Sequence, residues 1–264
     1  MSNYSLSKLL NRASIRKLFD IFNYELVEVC LVGGCVRDAL LGIEANDVDV
    51  AVNIPPKEII NILNNNNIDF NNFAYKYGSV VSTIDNKKIQ ITSLREDINQ
   101  MGRDTNIIFT KDWKKDAMRR DFTINAIYIN HEGTIKDFFN GQRDLFNSEL
   151  KFIGNIEERI QEDFLRIFRY YRFLGIYAQP KINIDDETIL QKFCKESFNY
   201  ITNDLLRQEI LKIFNNSFPL NSFYNDIHNK EKKYWIELTK KHFIKTKYDL
   251  GLNKCLNKID LLLN

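Results

Sequence analysis

The sequence predicts an α+β head followed by an all-α part, with the boundary near residue 148. Three observations carry this prediction. Strand-type runs are confined to the first 150 residues or so, the turns between them carry Gly-Gly, Asp-Asn and His-Glu-Gly, and after Leu150 helical periodicity takes over with short Asn-rich connections. The expected units are therefore residues 1–148 and residues 149–264.

At the N-terminus Leu6, Leu9, Leu10, Ala13, Leu18 and Ile21 recur at helical spacing, which predicts a first helix. Lys8, Arg12, Arg16 and Lys17 precede the first acid, Asp20. A transit peptide also shows this pattern, but the apolar period favours a domain helix. Val27 to Val32 is a β-branched run that predicts a buried strand ending at Gly33-Gly34, and Cys35 to Leu41 then has a helical pattern. Asp47 to Val52 alternates acid and apolar residue, as a strand does. Pro55-Pro56 opens another helix, since proline suits a first turn. Asn64 to Asn67 reads as a loop. Ser79 to Ile84 and Lys88 to Ser93 form a predicted hairpin around Asp85-Asn86. Ile107 to Phe109 is a further short strand, and Ala126 to Asn130 with Thr134 to Asp137 a second hairpin around His131-Glu132-Gly133. Glu157 to Gly175 reads as one long helix.

Composition sets limits on function. A hydrophobic fraction of 44% and a charged fraction of 27% over 264 residues suit a globular chain with a sizeable core. A net charge of +2 does not announce a nucleic-acid binder, so any basic surface must come from clustering. Cys30, Cys35, Cys194 and Cys255 have neither zinc-finger nor disulfide-framework spacing and are read as reduced cytoplasmic thiols. His131, His228 and His242 are too scattered for a histidine metal site. No apolar run approaches the roughly 20 residues needed to span a bilayer, and the first residues lack the apolar core of a signal peptide.

Three constellations carry chemistry. In the first, Gly33-Gly34-Cys35-Val36-Arg37-Asp38 is followed by Asp47-Val48-Asp49. Two glycines at a strand end let a ligand approach the backbone, the next helix presents N–H groups to phosphate, and Arg37 adds a fixed fork. Asp47 and Asp49, two apart on a strand, share one face. Two close carboxylates repel unless compensated, and Mg²⁺ is the usual answer, with two ions able to activate an attacking hydroxyl and hold a leaving phosphate. An edge strand with two solvated acids is the alternative, and the Gly-Gly and Arg-Asp upstream weigh against it. The second constellation is Arg119-Arg120-Asp121-Phe122-Thr123-Ile124-Asn125. It reads equally as a triphosphate and ribose site or as a helix cap at Asp121 or Thr123. The third is Glu162-Asp163-x-x-Arg166-x-x-Arg169-x-x-Arg172. Taken alone, its spacing describes an ion-pair ladder along a helix.

Together these motifs resemble the class II tRNA nucleotidyltransferases, the CCA-adding enzymes and their bacterial poly(A) polymerase relatives. The matching text is Leu31 to Gly42, Asp47-Val-Asp49, Arg119 to Ala126 and Glu162 to Arg166, with weaker matches at Asp137 to Asp144 and at the segment 94–104. The resemblance runs over residues 20 to 215 and implies a polymerase-β-like head. It implies that Asp47 and Asp49 hold two Mg²⁺ ions, that Gly33, Gly34, Arg37, Arg119, Arg120, Asp121, Asn125 and Arg169 serve the nucleotide, and that Asp163 and Arg166, helped by Glu162, read its base. The last role makes physical sense. Cytosine and adenine each offer an amine beside a ring-nitrogen acceptor, which suits an Asp/Arg pair, whereas uracil and guanine present a carbonyl to the aspartate. The loop carrying Arg95, Glu96, Asp97, Arg103 and Asp104 is, in the family, the one that assists the switch from C to A.

Two departures stand out. Gln90 occupies a strand position where relatives usually carry a carboxylate. About fifty residues follow Arg207 and Glu209, so the resemblance implies a reduced body and tail, with room for a protein partner in the tail's place. Between residues 230 and 258, nine lysines including Lys240, Lys241 and Lys245 face Glu231, Glu237 and Asp249, with aromatics interleaved. Such a segment suits RNA backbone contact, or is an ordinary solvated helix face. The expected activity is addition of C, C and A to tRNA 3′ ends from CTP and ATP, in the cytoplasm and away from membranes. The alternatives are a partial A-adding or CC-adding enzyme, a poly(A) polymerase, or a non-catalytic RNA-binding subunit. A dinucleotide-binding dehydrogenase does not fit, because Gly33-Gly34 lacks G-x-G-x-x-G.

Overall fold

The computed structural model describes residues 2–45, 47–101 and 104–223. The chain divides into two compact units, Met1–Asn147 with Lys151–Asn155, and Ser148–Leu150 with Ile156–Asn264.

The first unit is built on a seven-stranded sheet. In chain order it contains α1 (Ser2–Leu10), α2 (Ala13–Tyr24), β1 (Val29–Val32), α3 (Gly34–Leu40), β2 (Val48–Val52), α4 (Pro56–Asn65) and β3 (Asp69–Asn71). Next come β4 (Ser79–Ile84), β5 (Lys87–Ser93), β6 (Arg95–Met101), β7 (Asp104–Phe109), α5 (Trp113–Met118), β8 (Ile127–Ile129), β9 (Ile135–Asp137) and α6 (Gly141–Phe146). The strand order is β3-β4-β5-β2-β1-β8-β9, with β6 and β7 paired as a separate two-stranded sheet. β1 is antiparallel to both its neighbours, whereas β2 and β5 are parallel. All four β1 residues are buried, so this strand is covered on both faces, as its unbroken apolar run requires. One face carries a cluster of Cys30, Val32, Ala51, Leu94, Trp113, Ala117 and Tyr128, which seats α5 on the sheet.

The predicted hairpin closes as expected. Asp85 and Asn86 take φ of 49° and 58°, the double left-handed turn that matches strand twist. Two expectations need correction here. The apolar period of residues 6–21 is divided between α1 and α2, because Arg12 turns extended (φ −61°, ψ 131°) and donates from Nη1 to Ala45 O at 2.7 Å. The segment read as a loop from Arg95 to Asp104 is instead the β6–β7 hairpin, with Arg95 opposite Phe109 and Asp97 opposite Ile107. Thr105, Ile107 and Ile108 supply the strand propensity that the charged Arg95-Glu96-Asp97 run conceals. Arg103 lies outside the described residues, as does the side chain of Asp104.

The described part of the second unit is helical: α7 (Ile156–Glu162), α8 (Leu165–Leu174), α9 (Ile184–Ser197) and α10 (Asn203–Ile213), followed by a short 3₁₀ turn at Pro219–Phe223. The single helix expected over residues 157–175 is thus two. Asp163 causes the break, its Oδ1 accepting from Leu165 N at 3.0 Å and so starting a new helix. Buried Tyr171 donates to Glu187 of α9 at 2.6 Å, and Arg172 donates to Glu209 of α10 at 2.6 Å, which tie α8 to its neighbours. Among the described residues no helix is long and apolar enough to cross a membrane.

Candidate active site

The site begins where β1 ends. Gly33 has φ +75°, and a Cβ placed there would lie 3.7 Å from Arg120 Nη1 and 3.9 Å from Asp49 Oδ2. The turn is thus bracketed by a guanidinium that sequence places 87 positions away and by the second aspartate of the pair. Cys35, buried at the start of α3, donates from Sγ to Val32 O at 3.3 Å and to Asp49 O at 3.6 Å. This ties the helix to β1 and β2. Burial pushes the Cys35 thiol up to about 11, so it acts as a structural group and not as a nucleophile.

Asp47 is exposed on a bend just before β2, and Asp49 is the partly buried second residue of that strand. Burial raises the Asp49 carboxyl above the usual range; Arg120 draws it back, and the neighbouring Asp47 charge pushes it up again. Among the described residues neither carboxylate has a hydrogen-bonding partner. A paired carboxylate that burial makes costly, without a donor to satisfy it, is a suitable donor set for a divalent cation. Among the described residues no group of three or more histidine, cysteine or acidic side chains is placed to hold a metal ion.

Asp49 lines a polar cavity of about 210 Å³ together with Gln90, Arg95, Arg119, Arg120, Ser79 and Thr92. Asp49 and Gln90 are register partners on parallel β2 and β5. A larger hollow of about 470 Å³ is lined by Leu6, Leu10, Phe19, Arg16 and His131, and contains neither aspartate.

The Arg119–Asn125 segment splits between two tasks. Arg119 and Arg120, at the end of α5, face the cavity. Asp121 and Asn125 are buried beside it and fix Arg37: Asn125 Oδ1 accepts from Arg37 Nη1 at 2.8 Å, and Asn125 Nδ2 donates to Asp121 Oδ1 at 3.1 Å. Arg37 also pairs with Asp38 at 2.7 Å. Thr123 donates to Asp144 at 2.9 Å, and Asp137 caps α6 by accepting from Gly141 N and Gln142 N. The weak match at Asp137 to Asp144 is therefore a clasp beneath the segment. Gly141 is required there, since a Cβ would stand 2.2 Å from Thr123 O.

Sequence reasoning missed Asp116. Its side chain is 1% exposed and accepts from Arg119 Nε at 2.7 Å and Arg120 Nη2 at 3.2 Å. The signal was present: Asp116 stands three and four residues before the two arginines on a helix, the spacing at which side chains meet.

In the hairpin Arg95 pairs with Asp97 at 3.0 Å and donates to the carbonyl of Tyr77, while Glu96 pairs with Lys115 at 3.0 Å. In the second unit Arg166 is buried, donating to Arg159 O at 2.7 Å and to Glu162, which also receives Arg159. Asp163 is partly buried at the helix break. Arg169 lies 5.9 Å from the Phe173 ring centre. Lys240, Lys241 and Lys245 lie outside the described residues.

Residues 29–151 match the poly A polymerase head domain family. The chain is 38% identical over 176 residues to the human mitochondrial CCA tRNA nucleotidyltransferase 1, an alignment covering 66% of this chain and 41% of that protein. Among solved structures it resembles the Bacillus stearothermophilus CCA-adding enzyme in complex with CTP, with a TM-score of 0.72 and 25% identity, over 81% of this chain and 51% of the other. It also resembles the Thermotoga maritima CCA-adding enzyme complexed with tRNA, with a TM-score of 0.66 and 27% identity, over 92% and 56%. The chain spans about two fifths of the length of the curated relatives it matches.

Proposed function

Since the chain belongs to the class II tRNA nucleotidyltransferase family, we propose that it adds C, C and A to tRNA 3′ ends from CTP and ATP without a nucleic-acid template. One observation carries the reading: Asp49, Arg119 and Arg120 converge on a single polar cavity around the Gly33 turn.

In this reading the tRNA 3′-hydroxyl oxygen forms a bond to the α-phosphorus, the bond to the β-phosphate oxygen breaks, and pyrophosphate leaves. Asp47 and Asp49 would hold the divalent cations that the family uses, two Mg²⁺ ions here, which supply hydroxyl activation and charge neutralisation when bound. Arg119 and Arg120 receive phosphate oxygens through their planar forks. Gly33 and Gly34 leave the backbone open to the nucleotide. Arg37, Asn125 and Asp121 form a buried chain that keeps the β1–α3 turn and the Arg119–Asn125 segment in fixed relation. Base choice is assigned to Asp163 and Arg166, with Glu162 holding the Arg166 guanidinium and Arg169 assisting. The β6–β7 hairpin carries the change from C to A. The lysines at 240, 241 and 245 contact the tRNA backbone, and a protein partner for the tRNA's far side belongs to the same reading. We place the enzyme in the cytoplasm on its reduced cysteines. Because the human relative is named mitochondrial, fractionation of the native host tests that placement.

The test uses three tRNAs, ending at the discriminator base, at C and at CC. Each is incubated with the protein, Mg²⁺, CTP and ATP, and the products are sequenced. CCA ends on all three are expected. Addition of A to the CC substrate alone, CC ends only, or long A tails would replace this reading with an A-adding enzyme, a CC-adding enzyme or a poly(A) polymerase. No product, with tRNA still bound, would make it an RNA-binding subunit.

A further inference from the structure

Beneath the cavity, four donors converge on one carboxylate. Asp116 Oδ1 accepts from Arg119 Nε at 2.7 Å and from the backbone N–H of Arg95 at 3.2 Å. Its Oδ2 accepts from Tyr128 Oη at 2.7 Å and from Arg120 Nη2 at 3.2 Å. The phenol also accepts from Arg120 Nε at 3.0 Å, so Arg120 is held along one edge by two oxygens that are themselves hydrogen-bonded. Tyr128 is fully buried, and its ring is fixed edge-on against Trp113 at 5.4 Å.

Arg95, Arg119 and Arg120 all line the cavity, and Asp116 sits below them at 1% exposure. Three guanidiniums around a small cavity repel one another, and long flexible side chains lose rotamer entropy when fixed in one pose. A buried carboxylate opposes both effects. It offsets the repulsion, and its two oxygens dictate which edge of Arg119 and of Arg120 points down. We propose that Asp116 is the positioning residue of the anion site, holding Arg119 and Arg120 in the orientation that receives a nucleoside triphosphate. The proposal rests on reading this cavity as the triphosphate site. Asp116 remains charged in the working pH range: burial raises its carboxyl, but Arg119, Arg120 and Tyr128 together bring it down to about 2.

The test compares wild type with Asp116→Asn and Tyr128→Phe. It reads CTP KM and kcat at saturating primer RNA, KM for the primer, binding of inorganic tripolyphosphate by calorimetry, and thermal unfolding. Asp116→Asn should raise CTP KM and weaken tripolyphosphate binding by about tenfold or more, the loss expected when charge-assisted hydrogen bonds are removed. Primer KM should stay within about twofold, since a positioning role is confined to the triphosphate end. Tyr128→Phe, which removes one Arg120 partner and keeps the carboxylate, should act in the same direction by a few-fold. A folded Asp116→Asn protein with unchanged CTP KM and tripolyphosphate binding would overturn the proposal, and so would equal losses at CTP and primer. If Asp116→Asn does not fold, an unchanged Tyr128→Phe protein overturns it. A wild-type protein that binds tripolyphosphate but adds no nucleotide sinks the functional reading alone, and the tripolyphosphate comparison still decides the role of Asp116.

Discussion

Gln90 is the register partner of Asp49 across the parallel β2–β5 pair, and both line the same cavity. An uncharged amide therefore stands beside the partly buried carboxylate, leaving Asp47 as its acidic neighbour. Because burial raises Asp49, the group works against folding at pH values above its folded pKa, and its protonation at lower pH relieves that cost. Asp49→Asn should leave the melting temperature of the metal-free protein unchanged or higher, while lowering nucleotide transfer by on the order of a thousandfold. Mg²⁺ should raise the melting temperature of wild type and not of the variant, as ligand linkage requires. Gln90→Glu should alter the rate by no more than a few-fold. A many-fold gain with every nucleotide would show that two aspartates are insufficient.

Asp116 gives an acid-stability signature. Although burial raises its carboxyl, Arg119, Arg120 and Tyr128 hold it at about 2, below the ordinary aspartate value of 3.8, so its contribution is fully present above about pH 4 and is lost as pH falls towards 2. The size is on the order of 2 kcal/mol. Urea unfolding from pH 7 to pH 2 should show wild type more stable than Asp116→Asn at neutral pH, with the gap closing between pH 4 and pH 2. A gap independent of pH would mean that packing, not charge, holds the site.

The β6–β7 hairpin forms its own two-stranded sheet, rooted by Arg95, which donates to the Tyr77 carbonyl and through its backbone N–H to Asp116, and by the Glu96 pair with Lys115. If the hairpin carries the change to A as proposed, replacing residues 98–105 with a Gly-Gly turn should preserve C addition within a few-fold and make CC-ended tRNA accumulate. The Gly-Gly replacement provides the tight turn such a shortened hairpin needs. Equal loss of C and A incorporation would remove that role.

Glycines at two positions should behave differently. At Gly141 a Cβ would meet Thr123 O at 2.2 Å, a backbone atom that cannot swing aside, so Gly141→Ala should cost about 1–3 kcal/mol by overpacking, or more. At Gly34 the nearest atom to a Cβ is Arg37 Nη2 at 3.7 Å, an ordinary contact. Gly34→Ala should keep its melting temperature and lose CTP affinity, if the nucleotide approaches this backbone. Calorimetric melting and nucleotide titration of both variants check the pair.

The lysine-rich segment gives a salt test. Each phosphate neutralised by a lysine adds roughly 0.7–0.9 to the slope of log affinity against log salt. Alanine at Lys240, Lys241 and Lys245 should flatten the slope for tRNA without moving CTP KM. An unchanged slope would return these residues to an ordinary solvated face.

Local pattern made much of the architecture legible. Asp85-Asn86 between two β-branched runs announces its hairpin, and Val29 to Val32 before Gly33-Gly34 announces a central strand meeting a helix. Each misreading turns on an interaction that helical periodicity or strand propensity does not register. Arg12 leaves the helical path and reaches Ala45, 33 positions on. Asp163 gives up its helical place to start α8. β6 opens on three charged residues, Arg95-Glu96-Asp97, and only pairing with β7 makes it a strand.

The same division applies to the site. The sequence by itself determined the acid pair, the glycine turn and the arginine pair, because each is a contiguous set of residues whose chemistry and spacing can be read in a short window. Tertiary structure alone decided that Gln90 sits beside Asp49, that Arg120 reaches Gly33, and that Asp116 and Tyr128 hold the two arginines from below. Those relations depend on parallel strand register and on how α5 packs on the sheet. Both are fixed by burial of apolar faces far apart in the chain, which no local window of residues contains.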